Sequence, residues 1–122
     1  MSMEEFQCID LDVVEDVSVV RFKDDKLMDP QRIEIMGSEL MSVAKDDEKS
    51  EKLVVNFENV NFFSSAAINK LIVLNKRMQE RGGQIRLSNL RPEVKDLFSY
   101  TNLDKLFKIK DSQADAVSSF EQ

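Results

Sequence analysis

Two adjacent hydroxyls, Ser64 and Ser65, are the residues of this chain best placed to do chemistry. They follow Phe62-Phe63 and precede Ala66-Ala67-Ile68. At that point a strand-like apolar run, residues 53–57, and a polar turn through Glu58, Asn59 and Asn61 give way to helical spacing. A serine there has two uses. Its oxygen can accept a hydrogen bond from an N–H one turn into the helix, the ordinary capping role. Its hydroxyl can instead stay free to take a phosphoryl group, whose added charge of about −1.5 to −2 suits the open N–H groups at a helix start. Capping is expected of Ser64. Nucleophilic catalysis is a poor fit, because the chain has no histidine and one cysteine, Cys8. The usual general base and the usual zinc ligands are therefore missing, and an internal disulfide is excluded. The acidic runs Asp24-Asp25 and Asp46-Asp47-Glu48 lie in polar stretches that read as solvated turns, and Cys8 reads as a small buried apolar side chain. No catalytic, metal-ligating or cofactor-binding residue is predicted.

The elements that must position the serine turn follow from apolar spacing. Residues 8–14 alternate, with Ile9, Leu11 and Val13 on one face of a half-buried strand, and Glu15-Asp16 turn the chain into a second strand, Val17–Phe22. So short a connection predicts an antiparallel hairpin. After a polar loop at 23–26, Asp29-Pro30 reads as an N-cap followed by proline at the first helical position. Ile33, Met36, Leu40 and Val43 then give one apolar stripe to a helix from Pro30 to about Ala44. Residues 45–52 are a charge run expected to be a solvated connection. In the helix from Ala66, residues Ala67, Ile68, Leu71, Ile72, Asn75 and Met78 are expected on or near the inner face, and Gly82-Gly83 should end it. The strands at 53–57 and 84–88 should be parallel, since a helical crossover joins them.

Arg91-Pro92-Glu93 opens a short helix with Val94, Leu97 and Phe98 inward, and Leu106, Phe107 and Ile109 suggest a brief last strand. Ser112-Gln113-Ala114-Asp115 has capping-box spacing and starts a terminal helix carrying Ala116, Val117 and Phe120. The expected architecture is α/β: a four- or five-stranded mixed sheet with an N-terminal hairpin and about four helices. It should form a single domain over residues 1–122 with residues 1–6 frayed. Hydrophobic residues at 42%, charged residues at 33% and few Gly or Pro fit an ordinary soluble globular protein. A net charge of −6 without a Lys/Arg cluster argues against nucleic-acid and anionic-membrane partners. No signal peptide and no apolar run of spanning length is read, so no membrane insertion and a cytoplasmic location are expected.

Three further groupings bear on the serines. Phe62-Phe63 ends a strand, Gly82-Gly83 closes the helix, and Pro92, Val94 and Phe98 followed by Leu103 and Phe107 space out the segment beyond. Together they resemble the STAS domain of bacterial anti-sigma factor antagonists, also called anti-anti-sigma factors. In that family Asp-Ser-Ser/Thr-Gly-Leu-Gly begins the helix, a Gly-Gly pair closes it, and Pro-x-Val-x-x-x-Phe and Leu-x-x-x-Phe follow. The likeness spans roughly residues 53–109 by motif and the earlier hairpin and helix by order of elements. By position, the family's Asp is Ser64 here, its phosphorylated serine is Ser65, its second hydroxyl residue is Ala66, and its glycines are Ala67 and Asn69.

The resemblance implies a STAS-like fold and a non-catalytic regulator. It makes Ser65 the phosphoacceptor, ahead of Ser64, and puts partner contact at Phe63, Ser64, Ser65, Ala66 and Asn69. The implied partner is an anti-sigma factor that is also a GHKL-type serine kinase, with a PP2C-type phosphatase as a further candidate. The alternative is a structural STAS subunit of a larger assembly, a stressosome-like particle or a lipid-transport ATPase complex, in which the serine is only a cap.

Overall fold

The computed structural model describes residues 6–44 and 51–121. Strands β1 (Ile9–Val14) and β2 (Val17–Phe22) form the expected antiparallel hairpin, with Glu15 in the left-handed region at φ 59° in the turn between them. A two-residue strand β3 (Lys26–Leu27) precedes helix α1 (Pro30–Ala44), where the Asp29 side chain accepts from the Arg32 N–H as an N-cap should. Next come β4 (Lys52–Asn56), a second two-residue strand β5 (Phe62–Phe63), α2 (Ser65–Glu80), β6 (Gln84–Ser88), α3 (Pro92–Tyr100), β7 (Lys108–Lys110) and α4 (Gln113–Ser118). Gly82 sits at φ 78° just past α2, a conformation that glycine adopts without the clash a side chain would bring. Ser112 caps α4 by accepting from the Asp115 N–H at 3.1 Å.

The five-stranded sheet runs β1-β2-β4-β6-β7, antiparallel in the hairpin and parallel elsewhere. One face carries the main core: Val20, Phe22, Leu53, Val55 and Leu87 pack under Ile33, Met36 and Leu40 of α1, Leu71, Leu74 and Met78 of α2, and Val94 and Phe98 of α3. Val17, Val19 and Val54 point to the other face and pack under Ala116, Val117 and Phe120 of α4 and the turn after it.

Four expectations are corrected. Leu11 and Val13 share a face with buried Ile9 but are 43% and 59% exposed, because β1 is an edge strand whose middle and end no described helix covers. In α2, Leu74 is buried and Ile72 is exposed. Asp24 is not a freely solvated turn residue: Arg32 Nε and Nη2 donate to its two carboxylate oxygens at 2.9 and 2.8 Å. Phe6 is half-buried against the core, so it is not frayed. Residues 1–5 and 45–50, which include Asp46-Asp47-Glu48, lie outside the described residues.

Candidate functional site

The serine turn is held by backbone bonds to a segment that sequence patterning leaves as loop. β5 pairs in parallel with β3, Phe62 beside Lys26 and Phe63 beside Leu27. The Asn61 and Phe62 N–H groups donate to the Asp25 carbonyl at 2.7 and 3.2 Å, and the Ser64 N–H donates to the Leu27 carbonyl at 3.0 Å. Successive residues of an extended segment face opposite sides, so only one of the two phenylalanines can enter the core. That one is Phe63, whose ring lies 5.7 Å from Phe22, 5.2 Å from Phe57 and 6.3 Å from Phe98, centroid to centroid. The aromatic cluster thus anchors the turn from below. Phe62 is left 47% exposed. Phe63 therefore fixes the turn without being reachable by a partner, and Phe62 is the ring that the turn presents.

The two serines divide the work. Ser64 is the N-cap of α2, with extended backbone at φ −73° and ψ 167°; its Oγ accepts from the Ala67 N–H at 3.3 Å and its carbonyl from the Ile68 N–H at 2.9 Å. Ser65 is the first residue inside the helix. It is exposed, and among the described residues its hydroxyl makes no hydrogen bond. Ala66 and Asn69 are exposed beside it, and the first turn of α2 holds no acidic residue. A free hydroxyl thus stands beside unneutralised helix N–H groups, a setting in which added negative charge is favoured.

Elsewhere the chemistry-bearing residues do not converge. Cys8 is buried and donates weakly to the Arg32 carbonyl at 3.6 Å; burial raises its thiol pKa, with Arg32 acting in the opposite direction. Among the described residues no group of three or more Cys, Asp or Glu side chains could hold a metal ion, and no helix is long and apolar enough to cross a membrane.

A mixed sheet covered by helices, with an exposed serine hydroxyl at the start of α2, is the α/β architecture of this chain. The STAS domain model matches residues 9–116, and the chain belongs to the STAS domain family. Over 58 residues it is 33% identical to a STAS-domain containing protein of Pseudomonas aeruginosa strain UCBPP-PA14, a match covering 48% of this chain and 57% of that protein. The chain thus spans less than two thirds of the length of this curated relative. Among solved structures it resembles an anti-sigma-factor antagonist (STAS) domain protein from Planctomyces limnophilus, with TM-score 0.81, 21% identity and coverage of 91% of this chain and 95% of that one. It also resembles the Bacillus cell fate determinant SpoIIAA in its phosphorylated form, with TM-score 0.68, 16% identity and coverage of 92% and 98%. At these identities the likeness establishes the fold.

Proposed function

We propose that this domain is a non-catalytic, cytoplasmic regulator that acts as a single unit and is switched by phosphorylation of Ser65. Unmodified, it binds an anti-sigma factor of the GHKL serine-kinase type through Phe62, Ser64, Ser65, Ala66 and Asn69 and so frees a sigma factor. The kinase transfers the γ-phosphoryl group of ATP to Ser65 Oγ, with ADP leaving and the hydroxyl proton passing to a base on the kinase. The new charge then sits in the contact, where an unpaired desolvated anion is costly, and the complex opens. A PP2C-type phosphatase reverses the step by hydrolysis.

The observation that carries this reading is the division between the serines. Ser64 already caps α2, which leaves the exposed Ser65 hydroxyl with no structural task among the described residues. Support also comes from the match to a fold solved in phosphorylated form. A second reading, a structural subunit of a stressosome-like or lipid-transport assembly, draws on the exposed Leu11 and Val13 of edge strand β1. Affinity capture from cells that express the protein natively separates the two. Ser65→Ala should retain a kinase-type partner and Ser65→Asp should lose it, whereas equal capture by both variants favours the structural subunit.

A further inference from the structure

On the sheet face opposite α1 and α2, one row of side chains crosses four strands. Arg21, Asn56, Ser88 and Lys110 are register partners on β2, β4, β6 and β7, at the carboxyl ends of these mutually parallel strands. That end is where open α/β sheets hold ligands. The inner members are buried, Asn56 at 1% exposure and Ser88 at 0%, and the outer two, both cations, are half-exposed. Among the described residues neither Arg21 nor Lys110 has an acidic ion-pair partner; Asp10, opposite Arg21 in the hairpin, lies 3.8 Å from Lys23 instead.

Polar atoms without partners gather at the same end. Among the described residues the buried side-chain atoms lacking a hydrogen bond are Arg21 Nε, Ser88 Oγ and Asn89 Oδ1, two of them in the row and the third on the next residue. Gln113, the first residue of α4, lies across the row, and its Oε1 accepts from Arg21 Nη2 at 3.0 Å and from Asn56 Nδ2 at 2.8 Å. Glu58 Oε1 approaches Asn56 Nδ2 at 3.4 Å. One neutral carboxamide oxygen therefore sits between a guanidinium and an amide; a charged oxygen in its place would be held more strongly by Arg21, against the opposing charge of the Glu58 carboxylate on the same amide. Of the three unpaired atoms, Arg21 Nε and Ser88 Oγ can donate to a bound anion, whereas Asn89 Oδ1 only accepts, and buried donors are rarely left unpaired.

We propose that this row binds a small phosphate-class oxyanion, with Arg21, Asn56, Ser88 and Lys110 as donors and the Gln113 carboxamide giving up its place. Because Gln113 opens α4, occupancy is linked to how α4 seats on Val17, Val19 and Val54. The anion is either free phosphate or the terminal group of a phosphate monoester.

The test titrates the full chain with sodium phosphate, glycerol 3-phosphate and, at matched ionic strength, sodium chloride, following melting temperature and the NMR signal of Arg21 Nε–H. A saturable rise in melting temperature and a shift of that signal are expected with phosphate compounds and not with chloride. Tighter binding of the monoester identifies an organic phosphate, and binding of phosphate alone identifies the free ion. Arg21→Gln should weaken binding by about ten- to a hundredfold, the loss expected for a charge-assisted hydrogen bond. Lys110→Gln, at a half-exposed position, should weaken it as well. Gln113→Glu brings a tethered carboxylate to the same donors, so it should raise the melting temperature without phosphate and abolish the phosphate response. A phosphate response no larger than that to chloride, or an undiminished one in Arg21→Gln and Lys110→Gln, overturns the proposal.

Discussion

Alanine at Ser64 and at Ser65 should separate the two serines in energy without any partner present. Loss of a serine N-cap costs about 0.5 to 2 kcal/mol. The 3.3 Å bond to the Ala67 N–H is long, which argues for the lower half of that range, but Ala67 is fully buried, so little water can replace the lost acceptor. The expected cost of Ser64→Ala is therefore about 1 kcal/mol, a drop of roughly 4 °C in melting temperature for a domain of this size. Ser64→Asp keeps an acceptor and adds a carboxylate to a first turn with no acidic residue, a gain of about 0.3 to 1 kcal/mol, so it should equal or exceed the parent in stability. Ser65→Ala removes an exposed hydroxyl without a bond and installs a good helix former, and should stay within about 0.5 kcal/mol of the parent. Urea unfolding with a shared m-value reads all four proteins. If Ser65→Ala loses as much as Ser64→Ala, or Ser64→Asp falls with Ser64→Ala, the assignment of cap and free hydroxyl is wrong.

Leu71, fully buried between α2 and the sheet, should cost about 2 to 5 kcal/mol as alanine, whereas Ile72→Ala should change stability by about 0.5 kcal/mol or less; similar losses in urea melts would refute the assigned face. At Gly82 a Cβ would meet nothing within 4 Å, so Gly82→Ala should cost only the left-handed backbone penalty, about 1 kcal/mol; a neutral result in the same melts would contradict the conformation. Cys8, buried and with its thiol pKa raised by burial, should react with a disulfide reagent at pH 8 far more slowly in the native protein than in urea; equal rates would contradict its position.

The helices and longer strands around the serine turn were legible because local signals and packing agree. Asp29-Pro30 and Gly82-Gly83 bound their helices as capping chemistry requires, and the crossover forces β4 and β6 parallel. What stayed hidden depends on neighbours far away in sequence. At 3.6 residues per turn, Leu74 lies about 20° from Ala67 around α2 and Ile72 about 140°, so the inner stripe runs through Leu74, although the apolar character of Ile72 suggests otherwise. Leu11 and Val13 have the alternation of a half-buried strand, but alternation cannot say that the strand is an edge. The β3–β5 pairing is only two residues long and leaves no periodicity to read. It also decides which of Phe62 and Phe63 reaches the core. The polar row from Arg21 to Lys110 is equally invisible in the sequence, because sheet order alone brings its members together.

The central claim is that Ser65 carries the switch. It is tested most directly by isolating the protein from cells that express it natively, separating the partner-bound from the free fraction, and locating phosphate in each by mass spectrometry. The predicted result is an unmodified bound fraction and a free fraction carrying phosphate on Ser65. Phosphate on Ser64, or equal modification of Ser65 in both fractions, would contradict it.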